Sequence, residues 1–175
     1  MPNKSLILMS DYIAISTLND FIFCPYSIYL HNVYMETDET MYHATPQIRG
    51  RSVHETIDKK TASNRADDIL SLPVYSEEYG LMGKIDVYKR NICKLIERKY
   101  QLKRIFQGQI YQLWAQMLCM KEMGYDVKEL AFYEISTNKM IPIKMPDKEE
   151  LSMFKHFIER FRKYNPEETA FPINP

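Results

Sequence analysis

None of the 175 residues lies in an apolar run approaching the roughly 18–20 residues of a membrane-spanning helix. The start, MPNKSLILMSDYIAIS, holds only a four-residue apolar stretch, too short for the core of a secretory leader. Both absences predict a cytoplasmic chain with no membrane partner. Cysteine is scarce and odd in number. Cys24, Cys93 and Cys119 stand far apart, which does not suit an extracellular disulfide framework and leaves reduced thiols or ligands. Net charge is missing as well, because 23 basic and 23 acidic residues cancel, so the whole-molecule balance does not announce nucleic-acid binding. No internal repeat, low-complexity tract or linker divides the chain. With 45% hydrophobic and 13% aromatic residues it has enough for one packed core, and its length is too small for two ordinary domains.

The charge that is absent overall is concentrated locally. Residues 84–104 carry Lys84, Lys89, Arg90, Lys94, Arg98, Lys99, Lys103 and Arg104 against Asp86 and Glu97, a net of eight minus two, or +6. A solvated hairpin explains such a run unless a site lies within it.

The coarse order of elements follows from spacing. Ser16 can cap a helix over TLNDFIFCPYSIYLHNVY, which Pro25 should kink or restart. TPQIRGRSVHETIDKK (45–60) suggests a second helix, carrying His54. ILSLPVYS (69–76) alternates as a strand that Pro73 confines to an edge or irregularity. GKIDVYK and CKLIERKY then read as two strands around a basic turn at Lys89 to Asn91. Residues 102–125 have helical apolar spacing and end at Gly124, a good C-cap. KELAFYEIS (128–136) and KMIPIKM (139–145) form a hairpin around a Thr-Asn turn, and an amphipathic helix over 147–164 precedes a proline-containing tail.

Side chains alternate faces along a strand, so Glu97 and Lys99 point the same way, together with Cys93 and Leu95. If the two strands pair, Asp86 approaches Glu97 across the ladder. Two close carboxylates repel unless a cation lies between them, and carboxylate oxygens with water suit Mg²⁺ or Mn²⁺. An imidazole from His54 would tilt the preference toward Mn²⁺. Lys99 could orient a water or stabilise charge developing on a phosphate, as phosphodiester hydrolysis requires. The competing reading is a structural cross-strand ion pair between Glu97 and a lysine.

The spacing D-x10-E-x-K, preceded by Gly-x-Ile and an upstream helical histidine, resembles the RecB-like branch of the PD-(D/E)xK nucleases. The helix QLWAQMLCMKEMGY followed by DVKELAFYEI is similar to the glutamine motif of that branch, with Gln116 where tyrosine is usual. An alternative register runs from Gln107 to Tyr111. STLNDFIFCPYSIYL resembles the F-x-x-C-P-R motif of the CRISPR-associated RecB-like exonuclease, the fourth of the numbered CRISPR-associated proteins, with Tyr26 in place of arginine. RGRSVHETID is similar to its histidine motif.

The resemblance implies an α/β fold with a restriction-endonuclease-like (RecB-type) core: a central mixed β-sheet flanked by helices, after a helical N-terminal segment. It implies one nuclease domain over 1–175, with the N-terminal segment at 1–62, the catalytic sheet and helix at 66–146, and a final helix and tail at 147–175. By the same resemblance His54, Asp86, Glu97 and the Arg98 backbone carbonyl bind the metal. Lys99 is catalytic, and Gln112 orients it or the substrate. Tyr26, Tyr29 and Tyr34 read as core rather than stacking residues.

The expected activity is metal-dependent trimming of single-stranded DNA overhangs in CRISPR adaptation, beside the integrase made of the first and second CRISPR-associated proteins. Two other readings are a non-catalytic DNA-binding or integrase-docking subunit and a restriction-type endonuclease. The family also implies an iron–sulfur cluster, for which Cys24 would be one ligand. The other three cysteines would fall in a C-terminal group, where this sequence has AFPINP, so no cluster is expected in this chain. Buried structural thiols are expected at Cys93 and Cys119.

Overall fold

A computed structural model describes residues 12–26 and 67–165. The helix expected at 45–60 and the tail beyond Asn165 lie outside the described residues. The architecture is α/β, with mixed sheets flanked by helices. Among the described residues no helix is long and apolar enough to cross a membrane.

A short strand β1 (Ile13–Ala14) leads into a 3-10 turn (Ile15–Thr17) and helix α1 (Leu18–Phe23). Ser16 lies inside that turn and does not cap the helix. Thr17 occupies the N-cap position without a side-chain cap, and its hydroxyl donates instead to the Ala14 carbonyl at 2.7 Å. The helix stops at Cys24, whose extended backbone is what a following proline enforces, and Pro25 and Tyr26 are helical again.

The stretch expected as one strand at 69–76 is two, β2 (Asp68–Leu70) and β3 (Pro73–Ser76). The strand expected at GKIDVYK is also split, into β4 (Leu81–Lys84) and β5 (Val87–Lys89). Pairing nevertheless continues through the break. Leu70 faces Val87 and Pro73 faces Lys84, so both strands advance by three residues between those pairs. Ser71 N donates to Asp86 O at 3.0 Å and Ile85 N to Leu72 O at 2.9 Å. The hairpin therefore bends as a unit, and Ser71, at φ 53°, absorbs the bend. Pro73 sits on the edge strand of β1-β4-β3, where its missing N–H costs no ladder bond.

Beyond the bend the sheet order is β2-β5-β6-β7-β8, with β6 (Lys94–Lys99), β7 (Glu129–Glu134) and β8 (Lys139–Ile143). Strands β6 and β7 are parallel, joined by a crossover through α2 (Gln107–Glu122). The basic turn is a 3-10 segment (Arg90–Ile92) closed by Cys93 in the left-handed region at φ 52°. Cys93 therefore lies outside β6 and does not extend the Leu95, Glu97, Lys99 face. It is half-buried, whereas Cys119 is fully buried.

Helix α2 is buried nearly all round, as a helix between two layers must be. Leu113, Met117 and Met120 join Leu81, Ile85, Leu95 and Phe132 in one apolar cluster. Its C-terminus closes as the glycine predicts. Gly124, at φ 94°, donates to Lys121 O at 3.1 Å while Tyr125 N reaches Met120 O at 2.9 Å, the paired bonds of a Schellman stop. Gly108 marks where α1 crosses α2, since a Cβ there would lie 2.7 Å from Asn19 Cα.

Helix α3 (Lys148–Lys163) begins with a reciprocal box. Glu150 N donates to Asp147 Oδ1, and Asp147 N to Glu150 Oε2, each at 2.9 Å. Its Phe154 and Phe157 stack against Tyr111 of α2, and Phe157 also meets Phe21 of α1. The aromatic residues thus clamp the three helices together. At the other end of α3, Arg162 donates to the carbonyls of Tyr79 and Gly80 in the β3–β4 turn, at 2.6 and 2.9 Å.

Candidate active site

The bend in the β4/β5 strand decides where Asp86 sits. Pairing of β5 with β6 ends at Val87 opposite Ile96, so β6 outruns its neighbour and its next N–H on that edge has no backbone acceptor in β5. Asp86 supplies one, with Oδ2 accepting from Arg98 N at 2.8 Å. The aspartate is therefore bonded to the residue that follows Glu97.

The Arg98 carbonyl lies on the same edge. Lys99 O faces β7, where it accepts from Ile135 N at 2.9 Å. Backbone groups alternate edges along a strand, so those of Arg98 face the side that carries Asp86.

Glu97 and Lys99 share a face, and their charged ends meet with Lys99 Nζ 3.1 Å from Glu97 Oε1. Their side chains are 15% and 28% exposed respectively, so the pair is largely withdrawn from solvent without being sealed. The other carboxylate oxygen is also occupied. Gln116 Nε2 donates to Glu97 Oε2 at 2.9 Å and reaches Lys84 O at 3.4 Å. Gln116 is one of few buried polar residues, at 4% exposure, and its own Oε1 is buried with no hydrogen-bond partner. An amide so placed serves Glu97 at the cost of an unsatisfied acceptor.

Gln112, one helical turn earlier, is half-buried, and its amide donates to Ser16 O at 3.1 Å, tying α2 to the N-terminal 3-10 turn. Tyr111, the aromatic of the alternative register, packs among Trp114, Phe154 and Phe157. His54, Tyr29 and Tyr34 lie outside the described residues, and Tyr26 is exposed at the end of the first described segment. Among the described residues no group of three His, Cys, Asp or Glu side chains that could hold a metal is assembled. Cys24 is exposed after α1, and the three thiols sit on three separate elements.

The basic strip is partly neutralised. Lys94 pairs with Glu129 at 3.2 Å and Lys89 approaches Asp68 at 3.9 Å. Lys84, Arg98, Lys103 and Arg104 are exposed and form no ion pair among the described residues.

One contributor leaves little trace in the sequence. Glu134, opposite Lys99 in β7, is buried and accepts from Leu102 N at 2.5 Å and from the Thr137 hydroxyl. Those two bonds, the hydroxyl's first, hold its carboxyl below the usual range. They also fix the path of the chain as it leaves the Lys99 strand. Only the polar residue at the end of an apolar strand, ELAFYE, hints at it.

No protein-family model and no curated protein sequence matches the chain. Solved structures do. The crystal structure of SSO0001 superposes with a TM-score of 0.51, over 90% of this chain and 77% of that one, at 16% identity. At that identity the likeness concerns the fold alone.

Proposed function

We propose that this chain is a divalent-metal-dependent deoxyribonuclease with a restriction-endonuclease-like (RecB-type) core, which trims single-stranded DNA ends. The observation that carries the reading is the meeting of Asp86, Glu97, Lys99 and the buried amide of Gln116 at the end of β6. A structural Glu–Lys pair accounts for two of these residues. It does not account for a buried glutamine that donates its amide N–H to the same carboxylate while its own oxygen is left without a partner, nor for an aspartate bonded to the next residue.

The donors suit a hard cation. Asp86, Glu97 and the Arg98 carbonyl would hold Mn²⁺ or Mg²⁺, with His54 as the further ligand that the motif resemblance implies. When bound, such an ion supplies positive charge that acidifies a coordinated water and offsets phosphate charge. The chain's own groups do the rest. Gln116 holds one oxygen of Glu97, Lys99 sits beside the other and presents an ammonium to a phosphate or its attacking water, and the exposed lysines and arginines draw the phosphate backbone. Placement in CRISPR adaptation, alongside the integrase of the first and second CRISPR-associated proteins, rests on the F-x-x-C-P and R-G-R-x-x-H sequence motifs.

The test compares wild-type and Lys99→Ala protein on single- and double-stranded DNA with Mg²⁺, Mn²⁺ or neither. Cleavage of the single strand by the wild type, only with metal, is expected. No cleavage under any condition, from a folded protein, would favour a DNA-binding or docking role.

A further inference from the structure

The loop between β6 and α2 carries side chains that neither the core nor the candidate catalytic group uses. Tyr100, directly after Lys99, is 75% exposed. Phe106, the residue before α2, is 38% exposed, and its ring meets Phe23 of α1 edge-to-face at 5.3 Å, while Phe23 is itself 61% exposed. The Arg104 guanidinium lies 5.4 Å from the centre of the Phe106 ring.

Single exposed apolar side chains are ordinary on a protein surface, but two large exposed aromatic rings in contact with each other make a patch that packing alone does not require. This loop is also held in place rather than merely exposed. Ser136 N donates to Tyr100 O at 2.9 Å, Glu134 accepts from Leu102 N, and Gln109 Oε1 accepts from Phe106 N at 2.9 Å. Three anchors thus fix a segment whose aromatic groups face outward.

Charge narrows the partner. From Arg98 to Lys121 the chain has no acidic residue, while Lys103 and Arg104 are exposed. A π-surface edged by a guanidinium, with exposed cations alongside that form no ion pair among the described residues, suits a polyanion that offers flat faces, and a single nucleic-acid strand does so at every base. A duplex hides those faces within its own stack.

We infer that Tyr100, Arg104 and Phe106, joined by Phe23, form a stacking platform for the bases of a single strand, one to seven residues along the chain from Lys99. This rests on the nuclease reading and says how that site selects its substrate: a strand stacked on the loop has its phosphate backbone beside the end of β6, while a duplex finds no platform.

The experiment measures binding of fluorescently labelled single-stranded and duplex DNA in EDTA, so that cleavage cannot interfere, to the full chain and to Phe106→Leu, Phe106→Tyr and Tyr100→Ala variants. Phe106→Leu keeps an apolar side chain and removes the aromatic face, and Phe106→Tyr keeps the face. Single-strand affinity should fall roughly tenfold or more in Phe106→Leu and Tyr100→Ala, with Phe106→Tyr near wild type and duplex binding unchanged. Unchanged single-strand affinity in Phe106→Leu, or equal loss for duplex and single strand, would overturn the platform while leaving the nuclease reading intact. A wild-type protein that neither binds nor cuts DNA would overturn both.

Discussion

The side-chain amide of Gln116 donates to Glu97 Oε2 at 2.9 Å from the interior of α2, while Lys99 holds Oε1 of the same carboxylate at 3.1 Å. Glu97 is thereby fixed from two sides, by a buried neutral donor and by a cation largely withdrawn from solvent. The two have separable consequences.

Gln116→Leu keeps the apolar volume of α2 and removes the donor. A hydrogen bond to a charged group contributes about 1.5–3 kcal/mol, so Glu97 should lose orientation and the metal concentration for half-maximal cleavage should rise roughly tenfold. Thermal stability should change little, because the orphaned Oε1 disappears with the amide. A metal titration identical to wild type would show that Gln116 is packing alone.

Lys99→Ala should act on turnover. On the proposed reading the ammonium stands beside the phosphate or its water rather than as a ligand, and its loss should cost roughly 10²–10³ in rate, the scale of one preorganised donor. Metal affinity should hold or tighten, since a cation no longer competes for Glu97. Cleavage at the wild-type rate would reduce Lys99 to a strand ion.

Acid sensitivity tests the anchor behind the site. Folding favours the ionised form of Glu134, because the Thr137 hydroxyl and Leu102 N–H bond its carboxylate. That stabilisation is fully present above the ordinary carboxyl value of about 4.3 and is lost as pH falls through the lower folded value. Urea unfolding at neutral pH and at about pH 3.5 should show a steeper loss in the wild type than in Glu134→Gln. Parallel losses would mean that the carboxylate charge is irrelevant to stability.

Thiol chemistry bears on the iron–sulfur expectation. Burial pushes the Cys119 thiol well above the usual range, so it is a poor source of the thiolate that a cluster requires, and Cys24 and Cys93 belong to other elements. Anaerobically purified protein should be colourless and lack stoichiometric iron and sulfide. A brown protein absorbing near roughly 400 nm would contradict this.

Much of this was legible in the chain because local chemistry determined it. Period-two alternation put Glu97 and Lys99 on one face, Gly124 ended α2, and amphipathic spacing marked α3. The bend was hidden because Ser71, not a glycine, takes the left-handed conformation, and alternation runs unbroken on both sides of it. Cys93 misled for the same reason. Gln112 and Gln116 looked alike on one helix stripe, and only the distance between α2 and β6 distinguishes the amide that meets Ser16 from the one that meets Glu97.

The central claim is that Asp86 and Glu97 act together as a metal-binding pair. Its most direct test is cleavage of an end-labelled single-stranded oligonucleotide in Mn²⁺ by the wild type, Asp86→Ala and Glu97→Ala, with circular dichroism on each to verify folding. The account predicts metal-dependent product from the wild type and none from either folded variant. Undiminished cleavage by either variant would contradict it.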